Sequence, residues 1–182
     1  DFVGVDNNAA GATAGRLLGR FLAPRTGKII VVSETMNSLD SVERRLGFDK
    51  VLSRDFPNLT PLPSLETFGD PERTSRVVRT SYENHADIVG AYILGSEARL
   101  AIEAIREATD PALQVIIAHE RTRYTETMLR ERVLDAVIAQ NPGHLVRSAI
   151  RLLKARCDQR QPLVSQEQIR IEILIEDNLD LR

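Results

Sequence analysis

The sequence predicts an α/β fold of doubly wound parallel sheets, and three observations carry that expectation. Five short apolar runs, at residues 2–5, 29–32, 88–94, 115–118 and 136–139, are continuous rather than alternating, as strands covered on both faces require. Amphipathic stretches of helical period separate them. The strict alternation of strand and helix is the pattern of a parallel sheet with helices on both faces.

Taken in order, residues 2–5 form the first expected strand. Asp6, Asn7 or Asn8 then offers a cap for a helix over residues 9–22, which carries Leu17, Leu18, Phe21 and Leu22 at helical spacing. After the run at 29–32, Ser38 or Asp40 caps a helix over 42–56. Its expected apolar face is Val42, Leu46, Val51, Leu52 and Phe56, opposite Arg44 and Lys50. Pro57, Asn58, Pro61 and Pro63 mark a loop. Asp70 and Pro71 open a helix over 72–85, and helices over 97–109 and 125–132 follow the next two runs. Asp110-Pro111 is a loop signal. Pro142 suits the first turn of a helix over 142–156. The tail at 168–176 alternates polar and apolar residues, which reads as an edge strand with one wet face.

Composition narrows the function. At 182 residues the chain can bury one large core or build two lobes, and with aromatics at 4% and no Trp that core is aliphatic. Lys and Arg number 24 against 26 Asp and Glu, a net charge of -2, which leaves no electrostatic footprint for DNA. No apolar run reaches the roughly 20 residues of a membrane span. Cys157 is the single cysteine, so it forms no internal disulfide and fits a reducing, cytoplasmic setting. The opening at Asp1 on a strand that needs neighbours leads us to expect the latter part of a longer protein.

Gly11, Gly15 and Gly19 follow a strand and sit on a helix, the place of a nucleotide loop. Their spacing fits neither the dinucleotide fingerprint nor a P-loop; glycines at every fourth position instead allow a second backbone to approach. His85, His119 and His144 have no second His or Cys at ligand spacing, so no metal is expected. There is no nucleophile elbow, and Cys157 has no adjacent base, so no catalytic residue, cofactor or enzymatic activity is expected. Polar residues do collect just past the strands: Ser33 and Glu34, then Gly95, Ser96 and Glu97, then His119 and Glu120, then Gln140 and Asn141. Open α/β sheets bind ligands at that end. Groups that both donate and accept suit a polyhydroxylated ligand; the plainer reading is that strand ends feed polar loops.

Several segments together resemble the effector-binding domain of the lactose-repressor (LacI/GalR) transcription factors and the related periplasmic sugar-binding proteins. Val3-Gly4-Val5-Asp6-Asn7 with Gly11 and Ala14-Gly15 resembles the family's opening strand and helix. Gly27 to Val32 resembles the next strand, and Arg44 with Gly47-Phe48 its R-x-x-G-F helix. Ala118-His119-Glu120 and the segment from Leu134 through Gln140 to Pro142 resemble two later segments, in the right order along nearly the whole chain. The resemblance implies two lobes joined by three crossings of the chain, the first lobe incomplete here. Residues 1–26 would belong to the N-terminal lobe, 27–140 to the C-terminal lobe, 141–161 to a return into the N-terminal lobe, and 162–182 to a final crossing and edge strand.

Carried over by position, Arg44 would clamp ligand oxygens with its fork of donors, Phe68 would cover a sugar's apolar face, and Gln140 would supply an amide. Glu120 stands where the family has an Asp. Asp6 would lie at the cleft edge, its plainer role being a helix cap, and Asp40 is a candidate on the helix of Arg44. The family's Asn-Asp is missing after the strand ending at Leu94; the chain has Gly95-Ser96-Glu97, and Ser96 or Glu97 would substitute. The implied function is the sensing domain of a bacterial LacI-type regulator. It would bind a sugar-like effector between the lobes, reach operator DNA through a missing N-terminal helix-turn-helix, and form a homodimer. The alternative is a periplasmic sugar receptor of a transport system. An enzyme of doubly wound fold would need a nucleophile, metal or phosphate loop.

Overall fold

The computed structural model describes residues 3–160 and 169–179. Its frame is a six-stranded sheet in the order β2-β1-β3-β4-β5-β6, with β1 Gly27–Ser33, β2 Leu59–Glu66, β3 Ile88–Ile93, β4 Val115–His119, β5 Ala136–Gln140 and β6 Ile171–Leu174. Strands β1 to β5 are parallel, and β6 pairs antiparallel with β5 at the far edge. The expected edge strand in the tail is therefore present, over its described part.

Alternate residues of the strands feed two cores. Ile29, Val31, Tyr92, Ile117 and Ile138 pack with the helices α1 (Asn7–Leu22) and α2 (Leu39–Asp55) on one face. Ile30, Val32, Ile93, Ile116 and Val137 pack on the other with α3 (Pro71–Asn84), α4 (Arg99–Ala108) and α5 (Arg123–Arg130). This is the three-layer, doubly wound α/β architecture that the continuous apolar runs predict.

Three details differ from expectation. Among the described residues 3–6 there is no strand; Val5 is simply buried against the body of the molecule. Strand β2 occupies the segment whose prolines mark a loop. It lies at the sheet edge, where Pro costs no shared ladder bond, and its register slips between Ile29 and Val31 of β1, around Leu62 and Pro63. Helix α2 is rotated over its first half: Ser41, Arg44, Gly47 and Phe48 are buried while Val42 and Leu46 face solvent, whereas Val51, Leu52 and Phe56 are buried as expected. Helix α1 packs against α2 on the same face of the sheet.

The α1–α2 contact explains the rotation. A Cβ added at Gly11 would stand 1.8 Å from the carbonyl oxygen of Arg44, and one at Gly47 would stand 2.0 Å from the carbonyl oxygen of Asn8. Gly15 faces Phe48 in the same way. The glycine stripe is a close-packing face, as its spacing suggests, and it leaves room only for the small-residue side of α2. The next helix, α6 (Pro142–Cys157), is different: it buries only Ser148 and leaves Val146, Ile150 and Leu153 exposed. Cys157 is exposed and free. No helix among the described residues is long and apolar enough to cross a membrane.

Candidate functional site

Because β1 to β5 run parallel, their C-terminal ends share one edge of the sheet. The strand order reverses between β1 and β3, and such switch points open a crevice at that edge. Arg44 commands the edge from the second turn of α2. Its side chain is only 6% exposed, and each nitrogen has work: Nε donates to Asn7 Oδ1 at 3.1 Å, Nη1 to the Leu94 carbonyl at 2.8 Å, and Nη2 to Glu120 Oε1 at 3.1 Å. One planar fork thus ties the start of α1, the end of β3 and the end of β4. Asn7 Nδ2 in turn reaches Glu43 Oε2 at 3.4 Å.

Below this lies a buried polar floor. Tyr92 is stacked on Phe48 with ring centroids 4.4 Å apart, and its hydroxyl meets His119 Nε2 at 2.9 Å. Burial, aided by the nearby positive charge of Arg44, holds the His119 imidazole well below its ordinary pKa, so it is neutral. Burial likewise pushes the Tyr92 phenol upward. The loop after β1 is pinned from two sides. Ser33 Oγ donates to the Thr35 carbonyl at 2.9 Å, and Glu66 Oε2 accepts from the Met36 N–H at 2.9 Å.

Of the residues singled out in the sequence, Arg44 and Glu120 are brought into direct contact. Gln140 ends β5 half-buried, and beside it Asn141 caps α6 through the His144 N–H and donates to Glu172 Oε1 at 3.0 Å. Ser96 and Glu97 are exposed beyond β3, with Glu97 Oε1 accepting from the Arg99 N–H. Phe68 follows β2 with φ 53°, is 60% exposed, and holds the Arg73 guanidinium 4.8 Å from its ring centre. Asp6 is exposed and does what its plainer role requires: it caps α1 by accepting from the Ala9 N–H at 2.9 Å. Asp40 is exposed on the first turn of α2 and makes no contact with Arg44's network.

The sequence did not reveal Asn7 as a partner of Arg44, or Tyr92 as the partner of His119. The Asn at position 7 is visible only as one of several caps, and Tyr92 lies inside an apolar run; the first role needs the α1–α2 contact and the second the pairing of β3 with β4. Among the described residues no three His, Cys, Asp or Glu side chains cluster as a metal site. A groove of about 450 Å³ between β2 and α3, lined by Leu62, Pro63, Val77 and His85, gathers neither Arg44 nor the strand-end polar groups, so the chemistry sits elsewhere.

A family model described as a periplasmic binding protein domain matches residues 1–161. Among solved structures the chain is similar to GanP, a glucose-galactose binding protein from Geobacillus stearothermophilus. The TM-score is 0.85 at 16% identity, over 98% of this chain and 63% of that one. It is similar also to a sugar-binding protein of a sugar ABC transporter from Bacillus halodurans, with TM-score 0.85 and 20% identity, over 99% of this chain and 65% of that one. A third is an ABC transporter solute-binding protein from Agrobacterium vitis bound with alpha-D-tagatopyranose, with TM-score 0.87 and 16% identity, over 100% of this chain and 60% of that one. No curated protein matches the chain. The chain thus spans less than two thirds of the length of these structures. With a family match across most of its length and a sheet that collects its polar groups at one edge, this chain belongs to the periplasmic binding protein domain family.

Proposed function

We propose that this chain supplies one nearly complete lobe of a two-lobe receptor, and that the C-terminal edge of its sheet holds a small sugar-like ligand against the other lobe. The observation that carries the proposal is Arg44: a buried guanidinium fixed across three elements at the strand ends. An arginine held so firmly beside an open edge is preorganised for a ligand's oxygens, because its position costs nothing further on binding. The sugars named with several structurally similar proteins, among them D-arabinose and D-allose, support the same ligand class.

The finer reading is the effector domain of a LacI-type regulator, cytoplasmic and dimeric. Ligand binding would favour one closure of the lobes and pass that preference to an N-terminal DNA-binding head. The ordered motifs around Asp6-Asn7, Arg44-Gly47-Phe48 and Gln140-Pro142 support it. The transport-receptor reading is favoured by a different observation: the similar structures named above are mostly transport sugar-binding proteins.

One experiment tests the ligand and the setting together. Thermal-shift measurements on the protein extended to its natural start, against neutral sugars and polyols, should show a reproducible rise in midpoint that Arg44→Ala abolishes. No rise for any sugar contradicts the ligand reading. A helix-turn-helix in the residues before Asp1 supports the regulator; a secretion signal there supports the transport receptor. On the regulator reading this 182-residue chain alone gives no sequence-selective gel shift; a salt-sensitive, selective shift would contradict it.

A further inference from the structure

We propose that Glu34 is a specificity-determining residue of the same site, and that with Glu97 it makes the end of the site that reads hydrogen-bond donors and refuses anions. The inference rests on the ligand reading above and adds to it the chemistry of the ligand's near end.

Three observations converge on Glu34. First, its place: it is the residue after β1, and it lines the crevice between β1 and β3, the switch point, together with Ser33, Thr67, Gly95 and Glu97. The crevice has a free volume of about 10 Å³. That is at the lower limit for a single water, so a ligand lies over its mouth, not inside it. Second, its relation to Gly95: a Cβ added there would lie 3.7 Å from Glu34 Cγ and 3.8 Å from Glu34 Oε1. The glycine leaves the mouth open, and the Glu34 carboxylate stands beside the space that a longer residue 95 would occupy. Third, its chemistry: the half-buried Glu34 carboxylate has no hydrogen bond or ion pair among the described residues. Its neighbours across the edge are already engaged, Glu66 by the Met36 N–H and Glu120 by Arg44.

Glu97 spends one oxygen on the Arg99 N–H and keeps the other. The crevice mouth therefore presents carboxylate oxygens that only accept. A ligand hydroxyl or ammonium finds a charge-assisted bond there, whereas a carboxylate or phosphate meets like charge. Arg44 does not offset this, because its charge is already paired with Glu120; its bonds to Asn7, Leu94 and Glu120 leave two of its five N–H groups for the oxygens of a neutral ligand. The ligand's near end is therefore a neutral polyol or an amine.

The test is a binding titration of the complete protein with matched members of one sugar series: the hexose, its hexosamine, its hexuronic acid and its 6-phosphate. The hexose or hexosamine should bind at least about tenfold tighter than the two anions, the size of one charge-assisted hydrogen bond. Glu34→Gln should shrink that ratio to about threefold or less while leaving the thermal midpoint unchanged. Gly95→Asn, whose Cβ meets only ordinary contacts and whose amide would reach the mouth beside Glu34, should also change the ratio and keep the fold. Equal or tighter binding of an anion, or an unchanged ratio in Glu34→Gln, overturns the role of Glu34 and leaves the ligand reading standing. Binding of no member in any series overturns both.

Discussion

Arg44 shows how far a single side chain depends on its surroundings. Its three bonds demand a planar fork, which Lys cannot copy, so Arg44→Lys should fold yet lose about 1–2 kcal/mol of stability by denaturant titration. An unchanged midpoint would mean that the bonds to Asn7 and the Leu94 carbonyl carry little. His119 adds a pH dependence of definite sign. Its folded imidazole stays neutral because of burial and, secondly, Arg44, while the unfolded residue titrates near its ordinary value of 6.5. Below that pH the unfolded chain binds a proton that the folded chain refuses, so stability falls as pH drops, by up to about 1.4 kcal/mol per pH unit. Asp135, raised by burial, acts in the opposite sense nearer the carboxylate range. Subtracting the profile of His119→Gln from that of the native chain isolates the histidine; no difference between pH 7 and 5.5 would contradict its neutrality. At this scale the sequence shows Arg44 and Glu120 as candidates, but not that they bond each other 76 positions apart. The cap at Asp6, by contrast, is read from the sequence and present in the structure.

Helix α1 gives the element-scale prediction. Gly11→Ala should raise helix propensity slightly, yet its Cβ would enter the carbonyl of Arg44. The helices must part, which costs about 2–3 kcal/mol, or a fall in midpoint of roughly 5–10 °C. Gly95→Ala, whose nearest neighbour would be 3.6 Å away, should leave the midpoint nearly unchanged. A neutral Gly11→Ala would contradict the close-packed α1–α2 contact and the placement of Arg44 built on it. Most elements were legible in the sequence because buried parallel strands and amphipathic helices write strong periods. Strand β2 was not, since Pro61 and Pro63 are loop signals unless one knows that the segment lies at an edge and bulges around them. The first half of the buried face of α2 was misread for a related reason, while Val51, Leu52 and Phe56 are buried as expected. Period alone favours Val42 and Leu46, but the glycines of α1 accept only the side carrying Ser41, Arg44 and Gly47, and a buried arginine becomes tolerable once its bonds are made.

For the whole molecule, the sheet edge and α6 point the same way. The apolar residues Val146, Ile150 and Leu153 are 53%, 59% and 66% exposed. If, as proposed, the chain is one lobe of a two-lobe receptor, that face would pack against the other lobe, and α6 amides should exchange more slowly in the two-lobe protein than in this chain; equal exchange would argue against that packing. The central claim is that ligand sits at the C-terminal edge of the sheet beside Arg44. Hydrogen exchange of the complete protein, with and without saturating D-galactose, D-arabinose, D-allose or D-tagatose, tests it most directly. The predicted result, with at least one of these sugars, is new protection confined to residues 33–36, 94–97, 119–121 and 140–141. Protection along the β2–α3 groove instead, or no change with any of the four, would contradict it.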